Sequence, residues 1–329
     1  MTVPVIDALA RQYPALHITV LSKPHVAPLF EALPDNVKFF GADVKQQYKG
    51  LRGLRRLARA LRGRDIDAVA DFHNVLRSKI LNFFFVNHGL NVATIDKGRD
   101  EKKKLTKGTL RRQLPTSFER YLRVLRRLGL DVKLDFDRIA YPDANRITPL
   151  VGEKAEGDCW IGVAPFAAHP GKIYPIIRMH DAIALFLEKH PGARIFVFGS
   201  PGEMKAIHEA WAEDFPRLVF VPDVIHGMGD ELRLMQHLDA MISMDSANMH
   251  LASNVGCPVV SIWGQTHPYA GFMGYNQDPQ NAVQLDLPCR PCSIYGNKIC
   301  RYRDFRCLTH ITPQQVVDAL EKVLTAPKP

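Results

Sequence analysis

Short apolar runs of strand length alternate with amphipathic segments of helix length along this 329-residue chain, and they do so in two blocks. In the first block, residues 17–21, 37–40, 68–72 and 92–95 read as strands. Residues 2–11, 26–33, 51–61, 75–86 and 117–128 read as helices, the last stopping at Gly129. The segment 51–61 places Leu51, Leu54, Leu57 and Leu61 at helical spacing and arginines on its other face. A basic loop over 97–112 carries no clear period. Residues 131–158, with Pro142 and Pro149, read as a linker. The alternation then restarts, with strands at 160–164, 194–199, 218–220, 240–244 and 259–264. Helices are expected at 176–189, 203–211, 229–237, 248–254 and 313–324. Alternating strands and helices predict an α/β fold with parallel sheets covered on both faces. Two blocks and a linker predict two Rossmann-like domains, 1–150 and 151–329, facing across a cleft, with ligands at the carboxyl ends of the strands.

Charge separates the two blocks. Residues 1–150 hold 28 Lys and Arg against 15 Asp and Glu, whereas residues 151–329 hold 15 against 19. The first block is therefore expected either to meet something acidic or to carry a solvated basic surface. At 46% hydrophobic and 23% charged residues the composition is that of a globular chain. No apolar run reaches the roughly 18 residues of a membrane span, and the N-terminus does not read as a secretory signal. Cytoplasm is the expected compartment, where six cysteines read as thiols or metal ligands.

Chemistry is concentrated in residues 245–268. Asp245-Ser246-Ala247-Asn248 follows a strand and opens a helix carrying His250-Leu251-Ala252; Gly256-Cys257-Pro258-Val259-Val260 and Gly264-Gln265-Thr266-His267-Pro268 come next. Small and hydroxyl residues there either aim backbone N–H groups at an anion or simply cap the helix.

This run resembles the signature of glycosyltransferase family nine, the ADP-heptose:lipopolysaccharide heptosyltransferases. That signature is an Asp-Thr/Ser-Gly/Ala-x-x-His-Leu-Ala turn, a Gly-x-Pro-Val-Val strand and a Gly-x-Thr-x-Pro loop. The resemblance covers most of the chain and implies a GT-B fold, with the sugar nucleotide on the second domain and the acceptor on the first. It implies donor contacts at Asp245, Ser246, Ala247, Asn248 and His250. Ala247 stands where many members have glycine, and its methyl limits close approach to the backbone.

Three further segments are similar to the family's. In Ala164–Pro175, Lys172 matches the lysine of a Lys-x-Trp-Pro segment, with Tyr174 in place of tryptophan. The resemblance makes it the group that neutralises the departing diphosphate; a solvated lysine is the plain alternative. In Gly199-Ser200-Pro201-Gly202-Glu203, the carboxylate of Glu203 either accepts from ribose hydroxyls or serves the helix end. In Asp71-Phe72-His73-Asn74-Val75-Leu76-Arg77-Ser78, the residues Asp71, His73, Arg77 and Ser78 match a segment lining the acceptor side, or His73 is a structural histidine.

The family's opening strand and Gly-Asp turn have no counterpart here. The chain starts in what looks like the helix after that turn, and Asp7 does not match the family's base. Losing a central strand leaves buried backbone groups unpaired, at about 1–3 kcal/mol each. Met1 is accordingly expected to be internal to a longer protein, with roughly fifteen to twenty upstream residues supplying strand and turn at about 3.3 Å each.

Cys289, Cys292, Cys300 and Cys307 lie in one Pro/Gly-rich loop. They read either as a structural zinc site or as packed thiols or a disulfide. The reaction is expected to need no metal cofactor, since Asp65-x-Asp67 precedes its strand and no Asp-x-Asp ends one. The resemblance implies inverting transfer of heptose from ADP-heptose to a lipopolysaccharide inner-core sugar. The expected partners are a nucleotide-sugar donor, the lipopolysaccharide acceptor and an anionic membrane surface, met peripherally at the inner face of the inner membrane. Another nucleotide sugar, or an inactive shortened family member, is the alternative. No zinc finger, aromatic RNA platform or helix-turn-helix pattern supports nucleic-acid binding.

Overall fold

The computed structural model describes residues 1–326 and divides into two compact units. Unit 1 is Met1–Arg99 with Pro115–Ile139; unit 2 is Asp100–Leu114 with the chain from Ala140 on.

Unit 1 contains α1 (Val3–Gln12), β1 (Ile18–Ser22), β2 (Val37–Gly41), α2 (Gly50–Arg62), β3 (Ala68–Asp71), α3 (Leu76–Val86) and β4 (Asn91–Thr94). Helix α4 (Arg99–Thr106) begins at the unit boundary, and α5 (Ser117–Arg127) returns to unit 1. The expected helix at 26–33 is instead a 3-10 helix over Pro24–Phe30, with Pro28 inside it. The strands form two separate parallel pairs, β1–β2 and β3–β4. In a doubly wound sheet of order 3-2-1-4-5, with the family's opening strand counted first, β1 and β3 would flank that strand. Here no pairing joins them among the described residues. One apolar cluster nevertheless spans both pairs. Leu54, Leu57 and Leu61 of α2 and Leu81 and Phe85 of α3 pack with Phe40 of β2, Val69 of β3 and Val92 of β4.

Unit 2 continues with α6 (Thr148–Val151), β5 (Trp160–Ala164), α7 (Ile176–Lys189), β6 (Arg194–Val197), α8 (Pro201–Met204), α9 (His208–Asp214), β7 (Leu218–Phe220) and α10 (Val221–Val224). Then follow α11 (Met228–His237), β8 (Ala240–Met244), α12 (Ala247–Asn254), β9 (Val259–Ile262), β10 (Ala282–Val283), α13 (Arg306–Thr309) and α14 (Pro313–Thr325). Its six strands are all parallel, in the order β10-β9-β8-β5-β6-β7. That is the doubly wound arrangement, and its direction reverses between β5 and β8. Every residue of β5, β8 and β9 is buried, as a sheet covered on both faces requires. Ile161, Val163, Ile242, Val260, Met179, Ile183 and Leu320 belong to the main core.

The basic loop expected at 97–112 is in part helix α4. Its Leu105 is buried with Leu114 and Ala270, and the ammonium of buried Lys102 lies 4.2 Å from the centre of the Phe272 ring. This tertiary packing holds the segment helical although its own sequence has almost no apolar period.

Candidate functional site

In a doubly wound sheet the crevice opens where the winding reverses, at the carboxyl ends of the two strands that flank the switch. Those strands here are β5 and β8, paired in register from Ile161↔Ala240 to Ala164↔Ser243. The loop leaving β5 carries Lys172, and the loop leaving β8 carries Asp245 and Ser246. The fold thus brings together residues more than seventy positions apart. Lys172 Nζ lies 2.9 Å from Asp245 Oδ2 and donates to the Asp245 carbonyl at 3.0 Å. Both side chains are largely withdrawn from water. The ion pair with Oδ2 is close without being aligned as a hydrogen bond.

Ser246 is the N-cap of α12, yet its side chain makes no capping bond; its hydroxyl lies 3.2 Å from Ser243 Oγ. The capping alternative raised by the sequence is therefore not what Ser246 does. Among the described residues the amides of the first turn have no side-chain acceptor, and they retain the partial positive charge of a helix start. Ala247 is exposed and Asn248 half-buried on that turn. His250 sits one turn on. Burial, with the Lys172 ammonium beside it, holds its imidazole well below the usual range, so it is neutral near pH 7. Its Nδ1 is buried with no partner among the described residues. Gln265 Oε1 and Thr266 Oγ1, just after β9, are buried and unpartnered too. Buried polar atoms left unpaired cost about 1–3 kcal/mol each.

Lys172 is held by a scaffold that the sequence reading missed. Gly171 donates to the Gly296 carbonyl at 3.1 Å and accepts from Gln265 N at 2.8 Å. A Cβ on Gly171 would come within 2.1 Å of Gln265 Oε1 and 2.7 Å of the Gly296 oxygen, so the position demands glycine. Arg290 anchors the same loops. Its buried guanidinium donates to the carbonyls of Gly264 (2.6 Å), Trp263 (3.0 Å), Thr266 (2.9 Å) and Leu285, and to Gln284 Oε1 (3.1 Å). The signal lay in plain sight as an arginine inside the Cys289-Arg290-Pro291-Cys292 loop.

Four cysteines of that loop, Cys289, Cys292, Cys300 and Cys307, line one cavity of about 240 Å³ with Arg290 and Gln265. All are free thiols. Burial pushes the Cys307 thiol up to about 12 and also raises Cys292. Burial acts the same way on Cys300, but backbone N–H donors from Phe305, Tyr302, Asp304 and Arg303 outweigh it and bring that thiol below its ordinary value. The donors suit zinc in kind. Among the described residues, however, no group of three or more His, Cys, Asp or Glu is arranged to hold a metal ion.

Glu203, after β6, closes a capping box. Its Oε2 accepts from Ser200 N and Ser200 Oγ, both at 2.8 Å, while Ser200 Oγ accepts from Glu203 N. The expected helix 203–211 is split into α8 and α9. Of the two readings of Glu203, the helix-end role occupies one carboxylate oxygen in this structure.

In unit 1, Asp71 and Ser78 spend their polar atoms on the turn after β3. Asp71 Oδ1 accepts from His73 N (2.8 Å) and Asn74 N (2.9 Å), and Oδ2 accepts from Asn82 Nδ2 (2.8 Å). Ser78 Oγ accepts from Val75 N at 2.9 Å. His73 and Arg77 are exposed. Burial, then the nearby Lys97, lowers the His73 imidazole; Arg77 and Lys23 act in the same direction, and Asp71 opposes them. Lys23 follows β1 and Lys97 follows β4, so cations gather where these strands end. Neither lysine was singled out by sequence, because each sits in a loop without a motif.

His267 gives the loop after β9 a pH dependence. Its Nδ1 accepts from Tyr269 N at 3.1 Å, which requires the neutral ring. Burial, then the Arg290 guanidinium, lowers its pKa to about 4. The folded value is depressed below the usual ~6.5. Its contribution to stability is therefore complete above about pH 6.5 and is lost as pH falls toward 4. Melting curves at about pH 7 and pH 5 should show wild type losing more than His267→Asn; parallel losses would remove the assignment.

A sequence model of glycosyltransferase family 9 (heptosyltransferase) matches residues 54–302. Lipopolysaccharide heptosyltransferase 1 of Pseudomonas aeruginosa is 32% identical over 103 residues, 27% of this chain and 28% of that relative. The chain thus matches less than a third of the length of that curated relative. Among solved structures, the fold is similar to a family 9 glycosyl transferase of Veillonella parvula. It has 20% identity and a TM-score of 0.75, covering 98% of this chain and 92% of the other. It is similar to E. coli ADP-heptose lps heptosyltransferase II, with 19% identity and a TM-score of 0.68, covering 98% and 94%. E. coli heptosyltransferase WaaC with ADP-2-deoxy-2-fluoro heptose is also similar, with 17% identity and a TM-score of 0.65, covering 98% and 94%.

Proposed function

The chain belongs to glycosyltransferase family 9, and from that premise we propose that it moves a heptose from ADP-heptose to a lipopolysaccharide inner-core sugar with inversion. The observation that carries the donor side is the Lys172–Asp245 pair beside the uncapped start of α12. A diphosphate entering there meets an ammonium and free amides, and it replaces Asp245 as the anion that Lys172 faces. As the glycosidic bond breaks, negative charge builds on the departing diphosphate and positive character on the anomeric carbon. Lys172 and the amides at Ala247 and Asn248 are placed to take up the former, which is electrostatic stabilisation of the transition state. Neutral His250 adds a polar group without adding charge.

The acceptor belongs with unit 1, whose strands end among Lys23, His73, Arg77 and Lys97. The cations Lys23, Arg77 and Lys97 suit an acidic sugar. A lipid-linked acceptor puts the reaction at the cytoplasmic face of the membrane. Among the described residues no helix is long and apolar enough to cross a membrane; the association proposed is peripheral. The choice of ADP-heptose is supported by the family and by the ligand in the WaaC relative's structure. A different nucleotide sugar is the second reading.

Calorimetric titration of ADP, GDP and UDP, followed by transfer assays with the matching sugar nucleotides, tests the proposal. ADP is expected to bind at least about tenfold tighter than the other two, a difference of about 1.4 kcal/mol. Equal affinities, or a preference for GDP or UDP, would replace the donor assigned here.

A further inference from the structure

Helices α2 and α3 bury one side each in a common cluster, through Leu54, Leu57 and Leu61 and through Leu81 and Phe85. What they leave outside is unusual on both. Along α2, Arg52, Arg55, Arg59 and Arg62 recur at intervals of three, four and three, all exposed, and the helix contains no acidic residue. Along α3, Leu76, Lys79, Phe83 and Val86 recur at the same intervals. Leu76 is 75% exposed, Phe83 63% and Val86 56%. Isolated exposed apolar residues need no explanation. Three on one stripe of one helix, at the position where a surface helix puts its polar residues, do.

We propose that this face docks on an anionic bilayer, with the α3 stripe entering the headgroup region and the α2 arginines lying at the lipid phosphates. Interfacial helices combine these two features: apolar side chains on one stripe and guanidinium or ammonium groups beside it. Charge complementarity selects an anionic surface, and the apolar stripe selects a bilayer over a nucleic acid, whose phosphates would satisfy the arginines but leave Leu76, Phe83 and Val86 in water. Leu76 follows directly on the turn that carries His73, so the stripe starts at the cationic end of unit 1 and runs away from it. The inference rests on the acceptor being membrane-borne, but its test needs neither donor nor acceptor.

The experiment is cosedimentation of the full chain with vesicles of phosphatidylcholine alone and of equal parts phosphatidylcholine and phosphatidylglycerol. Wild type is expected on the anionic vesicles only, with binding falling as salt is added. Arg55→Glu with Arg59→Glu should weaken that binding by about tenfold or more. Phe83→Ser with Val86→Ser should weaken it severalfold while keeping its salt dependence. All four side chains are exposed, so melting temperatures should be unchanged. ADP affinity should be unchanged as well, which separates failure here from failure of the donor assignment. Absence of wild-type binding to the anionic vesicles would overturn the proposal, as would indifference to either pair of substitutions. Salt-sensitive capture of duplex DNA that needs the arginines but not Phe83 and Val86 would reassign the face.

Discussion

Lys172→Ala is expected to reduce glycosyl transfer by about a hundred- to a thousandfold, the effect of removing one well-placed group facing charge that develops in a transition state. Affinity for ADP should fall less, by about ten- to a hundredfold, because a hydrogen bond to a charged group contributes about 1.5–3 kcal/mol to ground-state binding. The split matters. A lysine that merely braced the loop would change stability and leave the ratio of the two effects near one. Stability will also fall in this variant, since Asp245 loses its buried partner, and breaking such a pair costs about 3–5 kcal/mol. The double variant Lys172→Ala/Asp245→Asn removes the stranded charge and should recover most of the lost melting temperature while remaining inactive. Transfer within about threefold of wild type in either variant would dismiss Lys172 as the diphosphate's partner.

The second large effect concerns stability alone. Arg290→Met removes the guanidinium that bonds the carbonyls of Trp263, Gly264 and Thr266 and leaves them without a donor. At about 1–3 kcal/mol for each buried acceptor, a loss of about 3–5 kcal/mol is expected. For a unit of this size that is a fall of about 10 °C in melting temperature. Arg290→Lys should rescue little, because a single ammonium cannot span acceptors arranged around a planar fork. A shift of less than about 2 °C would mean that the loops after β9 are held by their remaining contacts, such as the 2.9 Å bond from Gln265 Nε2 to the Lys298 carbonyl.

The second unit was legible because its strands are buried on both faces. Residues 160–164, 218–220 and 240–244 are short, mainly apolar runs whose ends coincide with the observed strands. Helix 176–189 was equally plain. Legibility failed where structure depends on distant partners. Helix α4 is held by Leu105 against Ala270, far along the chain, so its own sequence looked like a charged loop. The Arg290 network uses backbone carbonyls, which have no sequence signature.

The site shows the same division. Lys172, Asp245 and Ser246 were singled out because their motifs fall at strand ends. The motif could not reveal that Asp245 would clasp Lys172, or that Ser246 would leave its helix uncapped. In unit 1, Asp71 and Ser78 occupy the right positions but spend their polar atoms shaping a turn. A residue that builds a loop and one that touches a ligand leave the same trace in a single sequence. Only hydrogen-bond partners tell them apart.

The two strand pairs of unit 1 carry a consequence for how the protein behaves in solution. Each pair presents a rim, along β1 and along β3, where main-chain amides and carbonyls join no ladder among the described residues. Such rims template the addition of any extended segment that reaches them, whether from this polypeptide, a peptide in trans or a neighbouring molecule. At high concentration self-association should therefore begin at those rims rather than on the six-stranded sheet, whose open edges are the short strands β10 and β7. Deuterium uptake should likewise run fastest along β1 and β3 and slowest along β5 and β8.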